Sequence, residues 1–105
     1  MTPIKQPQER DYLNDGIYTK EFILPQGSKT LQHVHKHSHT SILATGEVLL
    51  HINHDVIRRV KAPAVLYLGA DDVHLIEALE NSTWYCVWHT DIKDVTKVCE
   101  SLIKK

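Results

Sequence analysis

Turn signals punctuate this chain so closely that no long helix fits inside its first nine-tenths. Between Gly16 and His89, breaks rich in Pro, Gly, Asn and Asp fall at 25–28, 46, 53–55, 61–63, 69–72 and 80–82. Such residues end regular structure because they preset φ, tolerate positive φ or hydrogen-bond their own backbone. The segments between them are rich in Val, Ile, Leu, Thr and aromatic residues. They read as strands at 17–24, 29–35, 39–45, 47–52, 56–60, 64–68, 73–79 and 83–89. Strand after strand at this short spacing predicts an all-β sandwich or barrel. The run 64–68 is apolar without alternation, which predicts a buried strand.

The ends read differently. Residues 1–15 hold two prolines and little periodicity, and are expected to form an extended N-terminal arm. At the other end the period changes. Ile92, Val95, Val98 and Leu102 step by three, three and four, one apolar stripe of an amphipathic helix over 91–105. Thr90 or Asp91 can cap its start, and Lys104 and Lys105 suit its C-terminal end. One domain of 105 residues is expected, with the barrel over 16–90.

Composition removes several classes of function. With 12 basic and 13 acidic residues, no basic stripe argues for nucleic acid. No apolar run approaches the ~20 residues of a membrane span, and residues 1–10 carry no apolar signal core. Two cysteines, Cys86 and Cys99, do not make a disulfide framework. They read as reduced thiols of a cytoplasmic protein. A nucleophilic Cys86 would need a base beside it.

Histidine is the residue in excess. Of eight histidines, four fall at alternate positions, His33, His35, His37 and His39. Alternate residues of a strand share a face. In one straight strand all four imidazoles would align. With a turn after His35, His33 and His35 still share a face, and His39 approaches from the next strand. Either arrangement gathers neutral nitrogen donors suited to zinc, copper, iron or nickel.

Spacing adds a family likeness. Gly27, five residues, His33, one residue, His35, three residues, His39, six residues and Gly46 reproduce the pattern G-x5-H-x-H-x3-E-x6-G. The sequence therefore resembles the cupin superfamily, with His39 standing where that family usually has Glu. The second cupin pattern, G-x5-P-x-G-x2-H-x3-N, survives only at His74. Gly69 falls at the Pro, Asp71 at the second Gly and Ala78 at the Asn. The resemblance covers roughly residues 17–89.

This resemblance implies a jelly-roll β-barrel, with the short helix appended, and a metal held inside by His33, His35, His39 and His74. The expected ion is Fe, Ni, Mn or Zn. Four neutral imidazoles leave its charge uncompensated, which favours an anionic ligand and acidifies bound water. Octahedral iron, nickel or manganese would keep open positions, whereas zinc could be closed tetrahedrally in a structural site. The expected function is a metal-dependent enzyme on a small anionic or chelating molecule, of dioxygenase or isomerase, epimerase or lyase type. The alternative is a non-catalytic module for ligand binding or sensing. His37, His51, Tyr67 and His89 are the candidates to assist around the metal. Glu77 alternates away from His74. The resemblance also implies a homodimer, for which Trp84, Trp88, the arm and the tail helix offer contact surface.

Overall fold

The computed structural model describes residues 5–32, 39–53, 56–69, 74–94 and 96–98, with backbone alone at Gln32, Val56 and Leu68. Nine strands form in order: β1 (Gln8–Asn14), β2 (Ile17–Leu24), β3 (Lys29–Gln32), β4 (His39–Thr45), β5 (Glu47–Ile52), β6 (Val56–Lys61), β7 (Ala64–Leu68), β8 (His74–Ala78) and β9 (Ser82–His89). They make two antiparallel sheets. One has five strands in the order β1-β2-β9-β4-β7, the other four in the order β3-β8-β5-β6.

Alternation decides which residues meet between the sheets. On β9, Ser82, Trp84, Cys86 and Trp88 are buried while the residues between them are not. Tyr18, Phe22 and Leu24 lie beside Trp88, Trp84 and Ser82 on β2, and Ser41 lies beside Cys86 on β4. The four-stranded sheet contributes Val48, Leu50, Val60, Ile76 and Ala78. Trp84, Tyr18 and Leu50 are almost wholly removed from water, each worth about 1.5–3 kcal/mol in transfer free energy.

Two expectations need correction. The closed barrel is instead a two-sheet sandwich consistent with a jelly roll, its sheets not joined by one continuous ladder among the described residues. The chain passes from β6 to β7 through Ala62 and Pro63, and proline has no N–H to carry the ladder across. The run 64–68, expected as a buried strand, is an edge strand buried on one face only. Leu66 is buried, but Val65 and Tyr67 are 72% and 77% exposed. An apolar run shows that a segment is strand-forming and not how many of its faces are covered.

Part of the N-terminal arm is also a strand. β1 pairs with β2 along its whole length, Gln8 opposite Ile23 through Asn14 opposite Ile17. Asp15 and Gly16 join them, both with positive φ, at 49° and 79°. That is the backbone of a two-residue type I′ hairpin. Of the tail helix, residues 96–98 are helical, and the remainder from 99 lies outside the described residues, as does Val95. Val98 is buried and Ile92 packs against the core, so this side of the apolar stripe does cover the sandwich.

The two ends of the sandwich differ. At one, the chain crosses between sheets four times, and the crossings are stitched together. Gly27 N donates to Ala78 O at 2.8 Å, Ala78 N to Ser28 O at 2.9 Å, Leu79 N to Glu47 O at 2.9 Å and Ala62 N to Gly46 O at 2.9 Å. At the other end β3 stops and β4 starts, and β7 stops and β8 starts, each pair in different sheets. No helix among the described residues is long and apolar enough to cross a membrane.

Candidate metal centre

The histidine end is built by register. Gln32, the last residue of β3, pairs with His74, the first of β8. His39, the first residue of β4, pairs with Leu68, the last of β7. So the chain leaves one sheet beside His74 and enters the other at His39. The six residues between, which carry His33, His35 and His37, lie outside the described residues. Because β3 and β4 belong to different sheets, the single straight strand through all four histidines does not form.

His39 and His74 both face the interior. His39 shares its face with the buried Ser41 and Leu43, and His74 shares its face with Ile76 and Ala78. Their residual exposures are 4% and 3%. Two imidazoles therefore enter the sandwich from opposite sheets at one end. The described inward residues of β4, β8 and β9 include no carboxylate, so the donors offered here are imidazoles. That chemistry fits a borderline divalent ion such as zinc, nickel or iron.

An aromatic wall backs His39. Its ring centroid is 4.5 Å from that of Trp88, and Trp88 stacks on Tyr18 at 5.5 Å and 21°. The Tyr18 hydroxyl donates to Asp11 Oδ1 at 2.5 Å, and Lys20 Nζ reaches the same oxygen at 3.3 Å. The stack locks the His39 ring and excludes water from that side, and Asp11 fixes the far end of the wall. Trp84 and Trp88, expected as possible contact surface, are instead 0% and 5% exposed. Their shared parity with Cys86 on β9 was the signal for an inward placement of both.

The other candidates face outwards. His51 sits on β5 between the half-buried Leu75 of β8 and the exposed Ile57 of β6, the face opposite Leu50 and Ile52. Tyr67 lies opposite the exposed Thr40. His89 is 81% exposed at its side chain, 3.9 Å from Asp91. These three are on the faces of their sheets away from His39 and His74. Glu77 is outward as expected and pairs with Lys29 at 3.5 Å. Cys86 is not a poised nucleophile. Burial pushes its thiol up to about 11, outweighing contacts from Ser41 at 3.4 Å and Trp84 at 3.3 Å.

One cation was missed. Arg58 pairs with Leu50 and so belongs to the inward face of β6, yet its side chain is exposed. On an edge strand, an inward arginine can lie along the opening between the sheets. The double arginine at 58–59 splits between faces, and its partner Arg59 is outside, bonded to Glu47 at 2.8 Å.

The fold has many solved counterparts. A cupin superfamily protein from Desulfitobacterium hafniense matches with a TM-score of 0.70 at 14% identity, over 87% of this chain and 84% of that one. An RmlC-like cupin from Shewanella frigidimarina matches at 0.67 and 16%, over 84% and 79%. A cupin 2 conserved barrel domain protein from Leptotrichia buccalis matches at 0.73 and 14%, over 86% of this chain and 43% of that one. No protein-family model matches the sequence, and no curated protein matches it either. The chain has the cupin fold.

Proposed function

We propose that this cupin-fold chain binds one divalent transition metal through His33, His35, His39 and His74 and acts through it on a small anionic or chelating molecule. The observation that carries the reading is the entry of two buried imidazoles, His39 and His74, from opposite sheets at one end of the sandwich. The segment that runs from beside His74 to His39 supplies His33 and His35. When bound, the metal supplies a Lewis acid for isomerase, epimerase or lyase chemistry, or the redox centre of a dioxygenase. The residues around it bind and orient. Trp88 and Tyr18 hold the His39 ring and keep water from one side, and Arg58 offers a positive charge at the opening for an anionic group.

A second reading, a binding or sensing module whose metal is structural, draws on the outward placement of His51, Tyr67 and His89. Those are three of the four candidates to assist around the metal, and they face away from the imidazoles, while the fourth, His37, lies outside the described residues. Stoichiometric zinc with no exchangeable ligand would favour it.

The test is elemental analysis of untagged protein after reconstitution, beside His39→Ala and His74→Ala, with circular dichroism to verify folding. About one equivalent per chain is expected in the parent and none in either folded variant. Nickel or copper should also quench Trp88 fluorescence, because its ring lies against His39, and Trp88→Phe should remove that signal. No metal after reconstitution, or full retention in both variants, would overturn the ligand set. With the site loaded, Arg58→Gln should weaken binding of oxalate, used as a probe, by roughly tenfold while metal content stays the same. Unchanged oxalate affinity would remove Arg58 from the site.

A further inference from the structure

We propose, resting on the metal reading above and on a redox-active ion within it, that Trp88 and Tyr18 conduct oxidising equivalents from the ion at His39 to the protein surface, where Asp11 takes the tyrosine's proton. The links are already in contact. The His39 and Trp88 rings lie 4.5 Å apart between centroids, and Trp88 stacks on Tyr18 at 5.5 Å and 21°. Electron transfer weakens steeply with distance, so two short steps between touching rings outrun one long jump through aliphatic core. Indole and phenol also yield an electron far more readily than the aliphatic side chains around them.

The far end is built for the proton. A phenol that loses an electron becomes a strong acid, so a proton acceptor must already be within hydrogen-bond reach. Tyr18 is 1% exposed, yet its hydroxyl donates to Asp11 Oδ1 at 2.5 Å, the short length of a charge-assisted bond. The Asp11 side chain is 32% exposed and pairs with Lys20 at 3.3 Å. The path therefore starts at a buried imidazole and ends at water. Packing alone does not call for the hydroxyl, because phenylalanine would supply the same ring. Of the chain's four tyrosines, all of them described, Tyr18 alone is buried. Tyr85 makes a similar bond, to Glu21 Oε2 at 2.7 Å, but it alternates to the face of β9 opposite Trp88.

The steps balance with hydrogen peroxide as the oxidant. Peroxide takes one electron from a ferrous ion at the site and one from Trp88, and with two protons from water it leaves as two water molecules. Trp88 regains its electron from Tyr18, whose O–H bond breaks as its proton passes to Asp11. A ferric ion, a neutral Tyr18 radical and a protonated Asp11 remain. A thiolate or ascorbate in solution then gives up one electron, and Asp11 returns the proton. The oxidising equivalent reaches a dissolved reductant instead of the imidazole ligands.

Two experiments separate the path from the metal. In metal-free protein an ultraviolet laser flash ejects an electron from tryptophan, and transient absorption follows the radical. The tryptophan signal should decay as a tyrosyl signal rises, more slowly in heavy water because a proton moves too. Tyr18→Phe should abolish the rise, Asp11→Asn should slow it at least about tenfold, and Tyr85→Phe should leave it unchanged. Next, iron-loaded protein freed of unbound iron is mixed with peroxide and freeze-quenched for electron paramagnetic resonance. A tyrosyl radical is expected, lost in Tyr18→Phe and in Trp88→Phe at unchanged iron content. Should Trp88→Phe fail to fold, Tyr18→Phe carries this arm alone. No tyrosyl rise after the flash, or one that survives Tyr18→Phe, would overturn the path. So would iron-replete protein that forms no Tyr18 radical, or keeps it in Trp88→Phe, and the metal reading would then still stand. A chain that takes up no iron would lose the oxidising centre, and the proposal with it.

Discussion

Gly46 shows how one residue holds the stitched end of the sandwich. Its φ is +88°, where side chains are strained, and a Cβ there would lie 2.5 Å from Asn81 O and 2.7 Å from Ser82 Cα. Those are backbone atoms, so the β8–β9 connection would have to move. Ser82 is also fixed, its Oγ donating to Glu80 O at 2.8 Å and accepting from Glu47 N at 3.1 Å. Gly16 has a similar φ of +79°, but its Cβ would meet only Thr90 O, at 3.3 Å. Gly46→Ala should therefore cost at least about 2 kcal/mol, strain plus displacement, a fall in Tm of roughly 10 °C or more. Gly16→Ala should cost distinctly less. Equal melting temperatures for the two variants would show that the contact at Gly46 relaxes freely.

At the scale of elements, charge acts on the β5–β6 hairpin. Arg59 Nε donates to Glu47 Oε2 at 2.8 Å and Nη2 to Oε1 at 3.2 Å, a two-bond fork across the strands. The fork holds the Glu47 carboxyl below its ordinary value. A lowered value in the folded state means stability that is present above the unfolded carboxyl's range and lost as pH falls through the folded value. The stability gap between the parent and Glu47→Gln in urea melts should therefore be widest near neutrality, close in acid and shrink with salt. A gap that does not change with pH would remove the ion pair as its cause. The elements also show what the sequence discloses. Strands β2, β4, β5 and β7 are legible to the residue because turn residues bound them sharply. β1 is not, because Gln8–Asn14 is exposed on almost every residue and has no period to read. Asp15-Gly16 was its available signal, a dipeptide suited to type I′ turns. The inward placement of His39 and His74 was legible through spacing and strand alternation. The placements of Trp88, Tyr18 and Arg58 were not, because they depend on which sheet and which strand stand opposite them.

The whole molecule is asymmetric along its strands, and the metal reading gives that asymmetry a consequence. Four crossings bound by backbone hydrogen bonds hold the sheets at the Gly46 end. At the other end His39 belongs to one sheet and His74 to the other, so an ion bound by both ties the sheets together. Binding to the folded chain alone stabilises it by about 2.7 kcal/mol at a free metal concentration 100 times Kd. For a domain of this size that is a rise in Tm of roughly 10–20 °C. The rise should grow with the logarithm of metal concentration and vanish in His39→Ala and in His74→Ala, each of which removes one sheet's share of the tie. It should persist in Gly46→Ala, because Gly46 and His39 sit at opposite ends of β4 and distant effects add. Calorimetry across a metal titration in the four proteins measures this. A rise of equal size in either histidine variant would place the ion elsewhere. A rise lost in Gly46→Ala would show that the two ends fold as one coupled unit.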